Sequence, residues 1–189
     1  DCEFIENESI AGGALHNGLG HIKSVNCKFM SNSATGENGG GGALHNGRGN
    51  LEIIGCILDN NESRFWSGGA VYNMGKLKIE KTAFSKNTSH KYGGGIYSNR
   101  GNIEIRESEF LSNTSKINGG AITNEARKGT VGKVKIIDCE FKSNKSRLGG
   151  SIYNNSDLKV ITSKLLGNDA EEFGGCIFNN GDYAEINDC

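Results

Sequence analysis

The sequence predicts an all-β fold, a single-stranded parallel β-helix (solenoid) of about seven rungs with three short strands in each. Three observations predict it. A two-part phrase, Phe-x-x-Asn followed about ten residues later by Gly-Gly-Ala-Ile, recurs seven times in 189 residues; repeats of this length and regularity mark a solenoid. Short runs in which apolar and polar residues strictly alternate have the period of half-buried strands, not of helices. Glycine is abundant, at 29 residues, and proline is absent, which suits short strands joined by tight turns.

Each unit is anchored two residues before its aromatic, at Cys2, Cys27, Cys56, Thr82, Ser108, Cys139 and Ser163, with Cys189 in the same phase, so the units run from 24 to 31 residues. The first segment, Cys-x-Phe, puts anchor and aromatic on one face. It runs into an Asn present in every copy: Asn7, Asn32, Asn61, Asn87, Asn113, Asn144 and Asn168. Stacked in register, each side-chain amide donates to the next, forming a structural ladder parallel to the axis. A buried amide without that partner costs roughly 1–3 kcal/mol.

The glycine pairs beginning at Gly12, Gly41, Gly68, Gly93, Gly119, Gly149 and Gly174 fit corners that need positive φ or close backbone approach. After each comes a second segment such as Ala70-Val71-Tyr72-Asn73, which implies a second ladder through Asn17, Asn46, Asn73, Asn124, Asn154 and Asn179, with Ser98 standing in for one copy. A third segment alternates as in Leu77-Lys78-Ile79 and Ile103-Glu104-Ile105. Its outward column reads Lys23, Glu52, Lys78, Glu104, Lys135, Lys159, Glu185. Neighbouring rungs mostly carry opposite signs there, worth about 0.2–1 kcal/mol per pair, so the face reads as solvated. Seven rungs at ~4.8 Å make a rod about 34 Å long.

No break in the repeat divides residues 1–189, which read as one β-helix segment; because it starts and stops at the same phase, it reads as an excerpt of a longer protein. A net charge of −1 favours neither nucleic acid nor an anionic membrane. No stretch approaches the ~18 apolar residues of a membrane helix, so this segment is not expected to insert. Five of the six cysteines share the anchor position and no Cys-x-x-Cys occurs, which reads as a stack of small buried thiols and not a zinc site. Bridges between Cys2 and Cys27, or Cys27 and Cys56, stay open, because strand spacing lies inside the allowed range. Asp169, Glu171 and Glu172, like Glu6 and Glu8, read as solvated turn charges and not a calcium site. No metal or cofactor is expected.

Phe-x-x-Asn alternating with Gly-Gly-Ala-(Ile/Leu/Val) resembles the repeat of the polymorphic outer-membrane proteins, a motif shared by adhesin-like surface proteins. The resemblance covers essentially the whole chain, with Leu58 and Leu165 in place of Phe, and Gly95, Ser151 and Cys176 in place of Ala. It implies a right-handed β-helix at the cell surface or outside the cell, acting in adhesion. It assigns no catalytic residue.

The function expected is therefore non-enzymatic attachment to a glycan or protein on a host or neighbouring-cell surface. The alternatives are a carbohydrate-active enzyme of the same fold, a polysaccharide lyase or glycoside hydrolase, and a structural spacer or filament subunit that self-associates end to end or laterally. No grouping of acidic residues on neighbouring rungs supplies the paired carboxylates of glycoside hydrolysis. If Leu44, Val71 and Ile96 point inward, the next residues turn out: His16, His45, Tyr72, Tyr97, Thr123, Tyr153 and Phe178. That is an expected exposed ladder of flat side chains suited to sugars or a partner surface. Two long loops, Ala34–Gly40 and Glu125–Gly132 with Arg127 and Lys128, complete the expected interaction surface.

Overall fold

The computed structural model describes residues 1–126 and 132–189. It is a parallel β-solenoid in which four seven-stranded sheets run the length of seven coils. The coil anchored at Thr82 is typical, with Ala83–Ser85, Thr88–Ser89, Ile96–Asn99 and Asn102–Arg106 contributing one strand each to sheets 1 to 4. The three expected segments form sheets 1, 3 and 4. Sheet 2 is additional: its strands follow the ladder Asn and are mostly two residues long, as in Glu62–Ser63 and Thr114–Ser115, too short to display an alternation.

Register follows the repeat. Phe4 pairs with Phe29, Phe29 with Leu58, Phe84 with Phe110 and Phe110 with Phe141. Rings of the same phase therefore stack, with centroids 4.7 Å apart for Phe84–Phe110 and Phe110–Phe141. Sheet 3 adds Leu44, Val71, Ile96, Ile122 and Ile152 to this core, and sheet 4 adds two apolar columns that include Leu77, Ile79, Ile103 and Ile105. Each such side chain contributes about 1.5–3 kcal/mol on burial.

Three left-handed positions recur from coil to coil among the described residues. One precedes the anchor, as at Lys81 and Glu107; one precedes the ladder Asn, as at Lys86 and Ser112; the third is the first glycine of the pair, as at Gly68 with φ 72°. The second glycine answers to space. A Cβ on Gly69 would lie 2.1 Å from the Gly94 carbonyl oxygen of the next coil, so two backbones meet there with no room for a side chain.

The first Asn ladder is continuous and saturated. Asn87 donates its side-chain amide to Asn113 Oδ1 at 2.9 Å, Asn113 donates to Asn144 Oδ1 at 3.0 Å, and Asn144 donates to Asn168 Oδ1 at 2.9 Å. The same Asn113 Oδ1 accepts the Asn87 backbone N–H at 3.1 Å, while the second amide hydrogen of Asn113 goes to the Phe84 carbonyl at 3.0 Å. Every donor and acceptor of a central ladder amide is thus used.

The second ladder is broken. Asn46 donates to Asn73 at 2.7 Å and Asn124 to Asn154 at 2.8 Å, but Ser98 between them reaches only its own Gly101 carbonyl at 3.1 Å. Asn124 Oδ1 is consequently buried with no donor. Ser98→Asn should supply one and raise the unfolding free energy by about 1 kcal/mol; a urea titration reads the gain, and an unchanged midpoint would count against the break.

The anchor column shows why Cys, Ser and Thr exchange. The Cys56 thiol donates to the Ile54 carbonyl at 3.4 Å and accepts the Cys27 N–H at 3.3 Å. Thr82 Oγ1 donates to Glu80 at 2.9 Å and accepts the Cys56 N–H at 3.3 Å, and Ser108 repeats both roles. The position calls for a small side chain that both donates and accepts. Burial pushes the Cys56 thiol up, keeping its proton available, and all six cysteines are free thiols. Cys56→Ser should therefore leave the thermal melt within a few degrees, whereas Cys56→Ala, which orphans the Cys27 N–H, should cost about 1–3 kcal/mol. Equal losses in both variants would refute the role.

Outside, the alternating column of sheet 4 pairs less regularly than its signs suggest. Lys23–Glu52 at 3.8 Å and Lys159–Glu185 at 2.6 Å bridge neighbouring coils, but Lys78 and Glu104 take partners on their own strands, Glu80 at 4.0 Å and Arg106 at 2.6 Å.

Candidate functional site

Sheet 3 turns its polar-phase side chains away from the core, and they stack as the sequence implies. His16 and His45 lie 4.5 Å apart, His45 and Tyr72 4.8 Å, Tyr72 and Tyr97 5.1 Å, and Tyr153 and Phe178 5.4 Å. Thr123 interrupts the column, and its hydroxyl donates to the Asn118 carbonyl at 2.6 Å.

The column is not the exposed platform expected. His16 is exposed and His45 and Phe178 are half-buried, but Tyr72, Tyr97 and Tyr153 keep only 7%, 6% and 9% of their surface. The cause is the turn that joins sheets 2 and 3, which folds back over the rings. Gly40 of the longer loop sits against Tyr72, where a Cβ would come within 2.4 Å of the ring, and its carbonyl bonds His45 Nδ1 at 3.2 Å. Tyr92 lies 5.8 Å from Tyr97, whose hydroxyl donates to Glu125 Oε2 at 2.8 Å. Burial first and then the Glu125 carboxylate push the Tyr97 phenol far up. Arg127 and Lys128 lie outside the described residues.

Burial also lowers His45, against the Gly40 hydrogen bond and with help from His16. The fold thus holds the neutral ring. The stability it contributes is complete above the ordinary imidazole value of 6.5 and is lost as pH falls through the lower folded value. His45→Phe, which keeps the stack, should flatten the fall in melting temperature between about pH 7 and 5; an unaltered pH profile would rule out His45 as its source.

What solvent meets is the covering turn itself. In one coil this turn carries Arg64, Phe65 and Trp66, with Phe65 50% exposed. The next coil brings Lys91 over the Trp66 ring, its Nζ 3.9 Å from the centroid. Beyond the inward Ser63, Ser89, Ser115 and Ser146, the chain turns Arg64, His90, Lys116 and Arg147 outward. The paired registers of Glu62 with Thr88, Thr88 with Thr114, and Thr114 with Lys145 carry these four into one axial column. The result is an aromatic shelf at the head of a track of basic side chains on the corner between sheets 2 and 3.

Sequence reasoning missed this corner, although two signals were present. Trp66 is the only tryptophan, adjacent to Phe65 in a turn segment outside any alternating run. Arg64, His90, Lys116 and Arg147 each stand three residues after a ladder Asn in consecutive repeats. A concavity of about 460 Å³ lies over sheet 4 between Lys76, Lys78, Lys133, Lys135, Glu52 and Glu104. It has charges of both signs and no aromatic ring. Three of the five acidic turn residues take basic partners, Asp169 with Lys145 at 3.1 Å, Glu172 with Arg147 at 3.2 Å and Glu8 with Arg64 at 3.2 Å. Among the described residues, no group of three or more His, Cys, Asp or Glu is placed to hold a metal ion.

A family model, the Chlamydia polymorphic membrane protein repeat, matches residues 81–99. The matched stretch runs from the corner at Lys81 through Phe84, Asn87 and the Gly93–Gly94 pair to Asn99, one full copy of the two-part phrase. No curated protein and no solved structure matches the chain.

Proposed function

We propose that this chain is a non-enzymatic, adhesin-like attachment module, displayed at the cell surface or secreted, that binds a glycan or protein on another surface. The observation that carries the reading is the repeat match at residues 81–99, whose phrase returns in phase in all seven coils. The matched family is named for membrane proteins, and a rigid repeat array suits the presentation of contacts away from an anchoring point. The contact surface in this reading is the Phe65–Trp66 shelf. Exposed large aromatics are the side chains that stack on sugar faces and anchor protein interfaces.

The test compares the wild-type chain with Phe65→Ser/Trp66→Ser on a glycan array and on intact cells, with reducing-end and unsaturated-product assays on every glycan bound. Binding without turnover, lost in the folded double variant, is the expected result. Product formation would convert the reading into an enzyme. Absence of wild-type binding on every surface would leave a spacer, and unchanged binding by the variant would move the site elsewhere.

A further inference from the structure

The geometry points to the ligand class: the corner between sheets 2 and 3 is a track for a linear acidic polysaccharide lying parallel to the solenoid axis, an inference that rests on the attachment reading above. The chain as a whole is almost neutral, at −1, yet four consecutive coils place Arg64, His90, Lys116 and Arg147 in one column. The two ends of that column are held by carboxylates. Arg64 pairs with Glu8 at 3.2 Å and Glu62 at 3.4 Å, and Arg147 pairs with Glu172 at 3.2 Å. Among the described residues, His90, Lys91 and Lys116 between them make no ion pair. His90 and Lys116 are the donors of the column without a carboxylate, and Lys91 adds an ammonium that rests on the Trp66 ring.

Coil spacing of about 4.8 Å gives the column a rise of roughly 14 Å from Arg64 to Arg147. Successive donors thus recur at nearly the length of a sugar residue in an extended polysaccharide. A uronic or sulfated sugar presents an anionic edge and an apolar C–H face, which suits basic side chains in a row beside an aromatic shelf. The ammonium of Lys91 over Trp66 shows that the shelf already faces positive charge. A single-stranded nucleic acid fits less well, because it needs aromatic side chains for successive bases, and the turns that carry Lys116 and Arg147 have none between the Phe65–Trp66 shelf and Phe173 of the last coil.

The test measures binding of the full chain to polygalacturonate, heparin, dextran and poly(dT) at low salt and again near 0.15 M, where exposed charges are screened beyond about 8 Å. The expected result is binding to the two acidic glycans that weakens with salt, with dextran unbound. The triple variant His90→Ser/Lys91→Ser/Lys116→Ser should keep the wild-type melting temperature and lose affinity about tenfold. Lys78→Ser/Lys135→Ser, on the groove over sheet 4, should lose none. Equal affinity in the triple variant, a larger loss in the groove variant, or poly(dT) bound as tightly as the glycans each overturns the proposal. If dextran binds as well as polygalacturonate and Phe65→Ser/Trp66→Ser abolishes both, the attachment reading survives while the acidic-ligand inference fails.

Discussion

Asn113→Ala lowers the unfolding free energy by about 3–5 kcal/mol, read as a shift of the urea midpoint with little change in slope. The size follows from what the truncation strands. The Asn87 backbone N–H and one of its amide hydrogens lose their shared acceptor, while Asn144 Oδ1 and the Phe84 carbonyl each lose a donor. All four partners are deep in the solenoid, where an unmade hydrogen bond costs about 1–3 kcal/mol before relaxation. Asn113→Asp gives a second readout. Its carboxylate accepts but cannot donate, and burial together with the facing oxygens raises its folded pKa. The deficit is then smallest below the unfolded carboxyl value of about 3.9 and grows as pH rises through it. A loss below 1 kcal/mol in Asn113→Ala would mean that water or repacking replaces the ladder.

Gly69→Ala is the other severe change, with an expected loss above about 3 kcal/mol or failure to fold. One methyl group is enough because its neighbours are main chain: the Gly94 oxygen at 2.1 Å and the Thr88 oxygen at 2.5 Å. Neither can swing aside without parting two coils and their strand pairing. Gly18→Ala is the internal control. Nothing lies within 4 Å of a Cβ there, so the substitution should be neutral or should stabilise by about 0.4–1 kcal/mol through the unfolded chain. Similar losses at both positions would show that glycine in this chain acts through flexibility and not through space.

The contrast between these two glycines shows what the repeat makes legible. Residues that return at the same phase must stack on their counterparts, so the Phe core, the Asn ladder, the anchor column and the Gly-Gly corner all follow from internal identity. The two-residue strands of sheet 2 do not, since alternation needs more residues than they have. Exposure was harder still. Tyr72 and Tyr97 do point away from the core, as their phase requires, but whether a residue pointing outward reaches water depends on the path of the next turn. Gly40 and Tyr92, which cover them, lie where the repeats differ most. Variation at those turns hid the Phe65–Trp66 shelf for the same reason, whereas the track from Arg64 to Arg147 was in phase all along and needed only the position three residues beyond the Asn.

Ser98, the gap in the second ladder, bears on how the molecule comes apart. Each sheet joins a coil only to its immediate neighbours, so the chain behaves as a row of units with nearest-neighbour couplings, and cooperativity extends only as far as those couplings stay strong. The two interfaces that flank the Ser98 coil, with the coils of Asn73 and of Asn124, both lack the amide link that the other described coils share in this ladder. The Ser98 coil is therefore the natural fracture zone, where a zipper of coils would stall in folding and part first under load, turning a seven-coil rod into two shorter cooperative blocks.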